Sequence, residues 1–391
     1  LNFFQEAKSL LKVNIREYGM YIALFVIMLT FTIMTNGLFI SSRNISNLLD
    51  ATGYIAVLAV GMTLVIVIRH IDLSVGFAAG FMGAIAAIML SQLGVPVYFT
   101  IPIILILGIV IGMFNGVLVA SVGIPAFVSS LAGMLIFRGA LLQVTEKTGT
   151  IIVKDDTFNA LGNGFLPSMG HIAGLNVLSL ILGALVILYF VYAEISKRNQ
   201  KIKYKFEVPS NKIFAIKLVF VSAIIAYVTW ILAGYNGFSW TVVITLLVVA
   251  IYHFLTTKTV LGRHIYAVGS NPEAAHLSGI NVKKITYIVF GSMGMLSALS
   301  GILYTARLQS ATTTAGTLFE LDAIAAAYVG GVSAAGGVGK VTGSIIGAVV
   351  MASLSSGMNL LGVGISYQYM IRGAVLALAV IFDVMTRRKR G

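Results

Sequence analysis

TTKTVLGRHIYAVGSNPEAAHLSGINVKK, residues 256–284, is a polar, basic, glycine-punctuated stretch between two long apolar runs. Such a segment lies outside a bilayer, so the runs on either side are read as spans and the fold as a helical membrane protein. Within it, Asn271-Pro272 is a helix start signal, Glu273 suits the positive end of a helix dipole, and Gly279 supplies a stop. The residues between make a short capped helix beside the membrane, the shape of a docking element for something soluble. A solvated connector with incidental helix signals is the plainer reading of the same residues.

Working outward, composition agrees. Of the 391 residues, 58% are apolar and 10% charged, too few charges to coat a soluble core. Apolar runs of about 20 residues recur along the chain, which leaves no room for a sizeable soluble domain. The formal net charge of +13 falls in segments between those runs, so it reports membrane topology and gives no support to nucleic-acid binding. With no cysteine, disulfides, thiolate metal sites and thiol catalysis are excluded. Lys8, Lys12 and Arg16 precede a run too long for a signal-peptide core, which is read as a retained first span.

The expected class is all-α, a polytopic bundle of about 12 transmembrane or partly re-entrant segments forming one domain over residues 1–391. Spans are placed at 18–37, 51–68, 73–91, 98–120, 127–143, 173–193, 214–233, 239–256, 285–305, 320–335, 341–361 and 368–386. Residues 194–217, with Lys197, Arg198, Lys201, Lys203, Lys205, Lys212 and Lys217, form the most basic connection and are expected as a cytosolic loop. Counting crossings from there puts 256–284 in the cytosol, 145–170 outside and both termini inside. The tail Arg387-Arg388-Lys389-Arg390 agrees with that sidedness. The segment 320–335 starts with Glu320 and Asp322 and breaks at Gly330-Gly331, which suits a half-helix or a re-entrant segment, tolerated only where protein or a water-filled cavity surrounds it. Glycines and alanines near four-residue spacing, such as Gly108, Gly112 and Gly116 or Gly291, Gly294 and Gly301, mark close helix packing.

Chemistry-bearing residues are sparse. Asp72, between two spans, either caps the helix that follows or serves in gating. Ser74, Asn115, Phe127, Glu320, Asp322 and Gln368 are the remaining candidates for lining a pathway, and each also reads as a packing or capping residue. Arg138 and Arg372 are expected to reach an interface or pair with a carboxylate. No catalytic set is expected. The five histidines include no pair four residues apart, so no metal site is expected either. GGVGKVTG fails as a nucleotide loop, because Val341 follows Lys340 and Ala334 replaces the first glycine.

Four motifs carry a resemblance: GRHIYAVGSNPEAAHLSGINV from Gly262, FELDAIAAAYVGG from Phe319, GGVGKVTGSIIGA from Gly336 and IDLSVG from Ile71. In that order along the chain they resemble the permease subunit of bacterial monosaccharide ABC importers of the ribose, xylose and galactose type. The basic segment near Lys197 looks like an insertion relative to the shorter ribose-type permeases, which points to the longer xylose and multiple-sugar branch. Lys340 and Thr342 stand at positions that vary in the family.

The resemblance implies a non-catalytic subunit in the bacterial cytoplasmic (inner) membrane that imports a pentose or hexose by alternating access. It implies as partners a second copy of the chain, cytosolic ATPase subunits that carry ATP and magnesium, and an extracytoplasmic sugar-binding protein, all in a lipid setting. On it, Asn271, Pro272, Glu273, Ala274, Ala275, His276, Leu277 and Gly279 form the coupling helix, with Arg263 and His264 facing acidic groups of the ATPase. A charge at Ala275 or Leu277 is then expected to uncouple hydrolysis from uptake. An ion-coupled secondary sugar transporter is the rival, with Asp72, Glu320 and Asp322 as its acidic candidates.

Overall fold

Inside lipid an apolar run satisfies its own backbone only as a helix. The computed structural model, which describes residues 15–388 apart from 207 and 209, is accordingly mostly helical. Its α-helices are α1 (Ile15–Met34), α2 (Ser42–Val67), α3 (Val75–Ser91), α4 (Val97–Val117), α5 (Ala126–Thr145), α6 (Asp156–Asn163), α7 (Val177–Lys203) and α8 (Asn211–Ala233). There follow α9 (Trp240–Lys258), α10 (Val260–Ser270), α11 (Pro272–Leu277), α12 (Val282–Leu308), α13 (Phe319–Val329), α14 (Val341–Leu360) and α15 (Ile365–Arg388). Lys8, Lys12, Lys389 and Arg390 lie outside the described residues.

Among the described residues nine helices are long and apolar enough to cross a membrane, and Gly19–Met34 and Val75–Ser91 are shorter apolar helices. Every one of the twelve expected spans coincides with a helix. The weakest, α13, has 11 residues. It is about 16 Å long, half of the roughly 30 Å of a hydrocarbon core, and so is the half-helix its glycine break suggested.

Burial separates the helices into two groups. The apolar windows of α2, α12 and α14 are 89%, 72% and 61% buried, whereas those of the other long helices are 11–28% buried. The first three lie in the core together with the shorter α3 and α13, and the other long helices turn apolar side chains outward, as lipid permits. Close packing follows the small-residue pattern. A Cβ on Gly108 or Gly112 of α4 would strike the backbone of α12 at Gly294 or Phe290, and one on Gly294 would strike Gly108 in return.

The ends of α12 define two faces of the bundle. One end follows α10 and α11, and we call it the handle end. At the other, β4 (Ser310–Thr312) pairs antiparallel with β1 (Thr150–Ile152), Thr150 opposite Thr312. Helix α6 sits there too, Asn163 Nδ2 donating to Ala306 O at 2.8 Å. The segments 145–170 and 256–284 therefore lie at opposite ends of one helix. The remaining pair, β2 (His171–Ile172) and β3 (Leu175–Asn176), is a two-residue hairpin before α7.

Three expected boundaries need correction. Residues 194–217 are not a loop: α7 runs to Lys203 and α8 starts at Asn211. Lys, Arg and Gln are good helix formers whose polarity conceals that propensity in a hydropathy reading. The two helix ends are tied together by Lys217 Nζ to Glu194 Oε2 at 2.5 Å and Arg198 Nη2 to Asn211 Oδ1 at 2.7 Å. Residues 256–284 are likewise mostly helix, in α10 and α11. Helix α2 begins at Ser42, capped by Ser41 Oγ on Asn44 N at 3.4 Å, nine residues before the expected start at 51. Its first turns hold Asp50, buried and bonded by Ser239 Oγ, so a polar opening concealed them too.

Candidate functional site

Capping shapes the handle. Thr259 Oγ1 accepts from Gly262 N at 3.1 Å and starts α10 directly after α9. Asn271 Oδ1 accepts from Ala274 N at 3.1 Å, with Pro272 at the first helical position, where its missing N–H costs nothing. Helix α11 closes with Gly279 N to His276 O at 2.9 Å and Ile280 N to Ala275 O at 3.0 Å, with Gly279 at φ +85°. That paired closure needs the left-handed conformation at Gly279. Asn281 Oδ1 then caps α12 through Lys284 N at 2.9 Å. Four successive caps make this stretch a rigid, folded handle.

The handle has an inner and an outer side. Ala275 is 4% exposed and packs into the core with Ile280, whereas Leu277 is 87% exposed. Asn271, Glu273, Ala274, His276, Gly279 and Arg263 are exposed, and Pro272 and His264 half-buried. Ala275 is thus misplaced among the expected partner contacts. A six-residue helix is too short for its phase to be read from sequence, and only the fold shows which side turns inward.

Residues the sequence did not single out hold the handle to the bundle. Arg69, just past the end of α2, donates through Nε to Gly269 O at 2.7 Å and through Nη2 to Ser270 O. Gly337 N donates to Val67 O at 2.8 Å, and Tyr266 OH to Gly339 O at 2.5 Å. Burial pushes the Tyr266 pKa up, so its hydroxyl stays a donor. The loop that imitates a nucleotide motif is therefore a wedge between α2 and α10, and the Gly337 N–H that a phosphate would need is already bonded. The only local sign of Arg69 was a charged pair, Arg69 and Asp72, close to a span end.

Asp72 is 3% exposed. Its Oδ1 accepts from Ser74 N at 2.9 Å and Ser74 Oγ at 2.6 Å, and its Oδ2 from Asn115 Nδ2 at 3.3 Å. Asn115 Oδ1 in turn accepts from Ser129 Oγ. Three expected residues, Asp72, Ser74 and Asn115, thus meet, and the carboxylate both shapes the turn before α3 and links it to α4 and α5. Ser130 Oγ adds a bond to Ile71 O at 3.4 Å. Beside this cluster an open cleft of about 490 Å³ is lined by Arg69, His70, Ile71 and residues between Val119 and Phe127. Phe127 is 56% exposed there, so it lines the cleft without joining the polar network.

The other expected pathway residues lie apart. Glu320, in the first turn of α13, is buried against Gly76, with Oε2 lacking a hydrogen-bond partner among the described residues. Asp322 pairs with Arg372 of α15 at 3.5 Å. Gln368 Nε2 donates to Asn359 Oδ1 at 2.7 Å and Val363 O at 3.0 Å, an end-of-helix tie between α14 and α15. Arg138 lies over the Phe77 ring at 5.6 Å. Among the described residues no group of three or more His, Asp or Glu side chains could hold a metal ion.

The family described as branched-chain amino acid transport system / permease component matches residues 44–380. The chain is 39% identical over 386 residues to the xylose transport system permease protein XylH of Escherichia coli K12, covering 99% of this chain and 95% of that one. It is 40% identical to XylH of Haemophilus influenzae over 381 residues, 97% of this chain and 99% of that one. To the ribose import permease protein RbsC of Escherichia coli K12 it is 34% identical over 374 residues, 95% of each chain. No solved structure matches.

Proposed function

We propose a function from the premise that the chain belongs to the branched-chain amino acid transport system / permease component family, whose match spans residues 44–380. It is the membrane subunit of a sugar importer, moving a pentose or hexose across the bacterial inner membrane, and is not itself an enzyme. Support comes from relatives named as xylose and ribose permeases that align over at least 95% of this chain. Two copies form the pathway. A separate pair of cytosolic ATPase subunits supplies the energy and holds ATP and magnesium, and an extracytoplasmic protein delivers the sugar.

The observation that carries this reading is the handle: a short helix, α11, capped at both ends, following α10 whose last carbonyls Arg69 holds beside the core helix α2, with an exposed leucine at its tip. An exposed Leu277 on a rigid lever suits a groove of a soluble partner. Closure of the ATPase pair around nucleotide moves the two handles, and the bundle switches between inward-open and outward-open states. The cleft beside Asp72 and Asn115 is lined in part by Arg69, the residue that holds the handle. Sugar selection rests with the delivery protein, so the membrane path needs only weak polar contacts.

An ion-coupled transporter remains the second reading on one observation: Glu320 is buried with an unpartnered oxygen at the start of a half-helix, an arrangement that suits coupling ions. Proteoliposomes holding the chain, its ATPase and its delivery protein separate the two. The importer requires that pentose or hexose uptake depend on enclosed ATP and survive collapse of the proton and sodium gradients. Uptake without ATPase that vanishes with the gradient would establish the second reading.

A further inference from the structure

Helix α2 ends in a closing turn of the kind that usually takes glycine. Arg69 N donates to Ile66 O at 2.9 Å and His70 N to Val65 O at 3.0 Å, and between them Arg69 is held at φ +68°. An L side chain is strained in that left-handed conformation, and glycine is not. Backbone geometry therefore does not account for an arginine here; its side chain does. The guanidinium grips Gly269 O and Ser270 O, the open carbonyl end of α10, immediately before Asn271 starts α11. Three residues further on, Asp72 grips Ser74 on the turn into α3 and Asn115 on α4, which Ser129 of α5 bonds in turn. Segment 69–72 thus has one end fastened to the root of the handle and the other to the turn into α3 and, through Asn115 and Ser129, to α4 and α5.

We propose that Arg69 is a positioning residue for transport: it transmits displacement of α11 into the bundle, with segment 69–72 as the link. This rests on the reading of α11 as a handle gripped by the ATPase, so the test keeps the two apart. Arg69→Gly and Arg69→Asn both remove the guanidinium and both suit a left-handed backbone. Each is purified with its ATPase and delivery protein, and read by thermal midpoint, ATPase co-purification, uptake, and ATP hydrolysed per sugar moved. The link requires near-parental stability and co-purification in at least one variant, with uptake down about tenfold and ATP per sugar up correspondingly, the scale of losing charge-assisted hydrogen bonds. Parental ATP per sugar would overturn it, as would failure of both variants to fold or to hold the ATPase, which would make Arg69 a stability or docking residue. Leu277→Asp is the control: if it leaves ATPase binding and uptake unchanged, the handle reading itself is wrong whatever Arg69 does.

Discussion

Ala275 and Leu277 are two residues apart and face opposite environments, which sets opposite expectations for the same substitution. Leu277→Asp changes an 87% exposed side chain, so stability should move by less than about 0.5 kcal/mol while ATPase co-purification falls. Ala275→Asp places a carboxylate among the apolar contacts of the core. It should cost about 2 kcal/mol or more and disorder the handle, read as a lower thermal midpoint and faster proteolysis near residue 275. Asp72 gives a third case. Asp72→Ala strands the Ser74 and Asn115 donors in a buried site, a loss of about 1–3 kcal/mol in detergent-solubilised unfolding. Asp72→Asn, which keeps one acceptor oxygen, should lose less. From sequence Asp72 was either a cap or a gate, because its bond to Ser74 is local and its bond to Asn115 spans 43 positions. Only the local half of such a residue can be read along a chain.

At the scale of elements, periodicity and composition reach furthest where lipid enforces them. Twelve apolar runs became helices, and the glycine break at Gly330 marked the one that is half-length. They fail where helices leave the membrane: charges conceal the ends of α7 and α8, and the polar start of α2 does the same. The handle's caps were readable in Asn271, Pro272 and Gly279, while its attachment was not, since Arg69 and Gly269 are 200 residues apart. Close packing makes its own prediction. Gly294→Val drives two methyl groups into the α4 backbone at Gly108, and overpacking of this kind costs about 1–3 kcal/mol or more. Monodisperse yield should collapse, whereas Gly373→Ala on α15, with open space around it, should leave yield unchanged.

For the whole molecule, the arrangement of charge and core has one consequence. The three most buried of the long helices, α2, α12 and α14, form the centre, and α2 runs directly into the junction that grips the handle. Force applied at α11 therefore meets the core without passing through a long flexible loop. On the proposed topology the basic ends of α7 and α8 lie in the cytosol, and the handle with them. Because the chain has no cysteine, sidedness can be read from one introduced thiol. Leu277→Cys is exposed to a membrane-impermeant maleimide in right-side-out and inverted vesicles, with and without the ATPase. Labelling confined to inverted vesicles and blocked by the ATPase is the expected outcome; labelling of right-side-out vesicles would put the handle on the wrong side of the membrane and contradict its role.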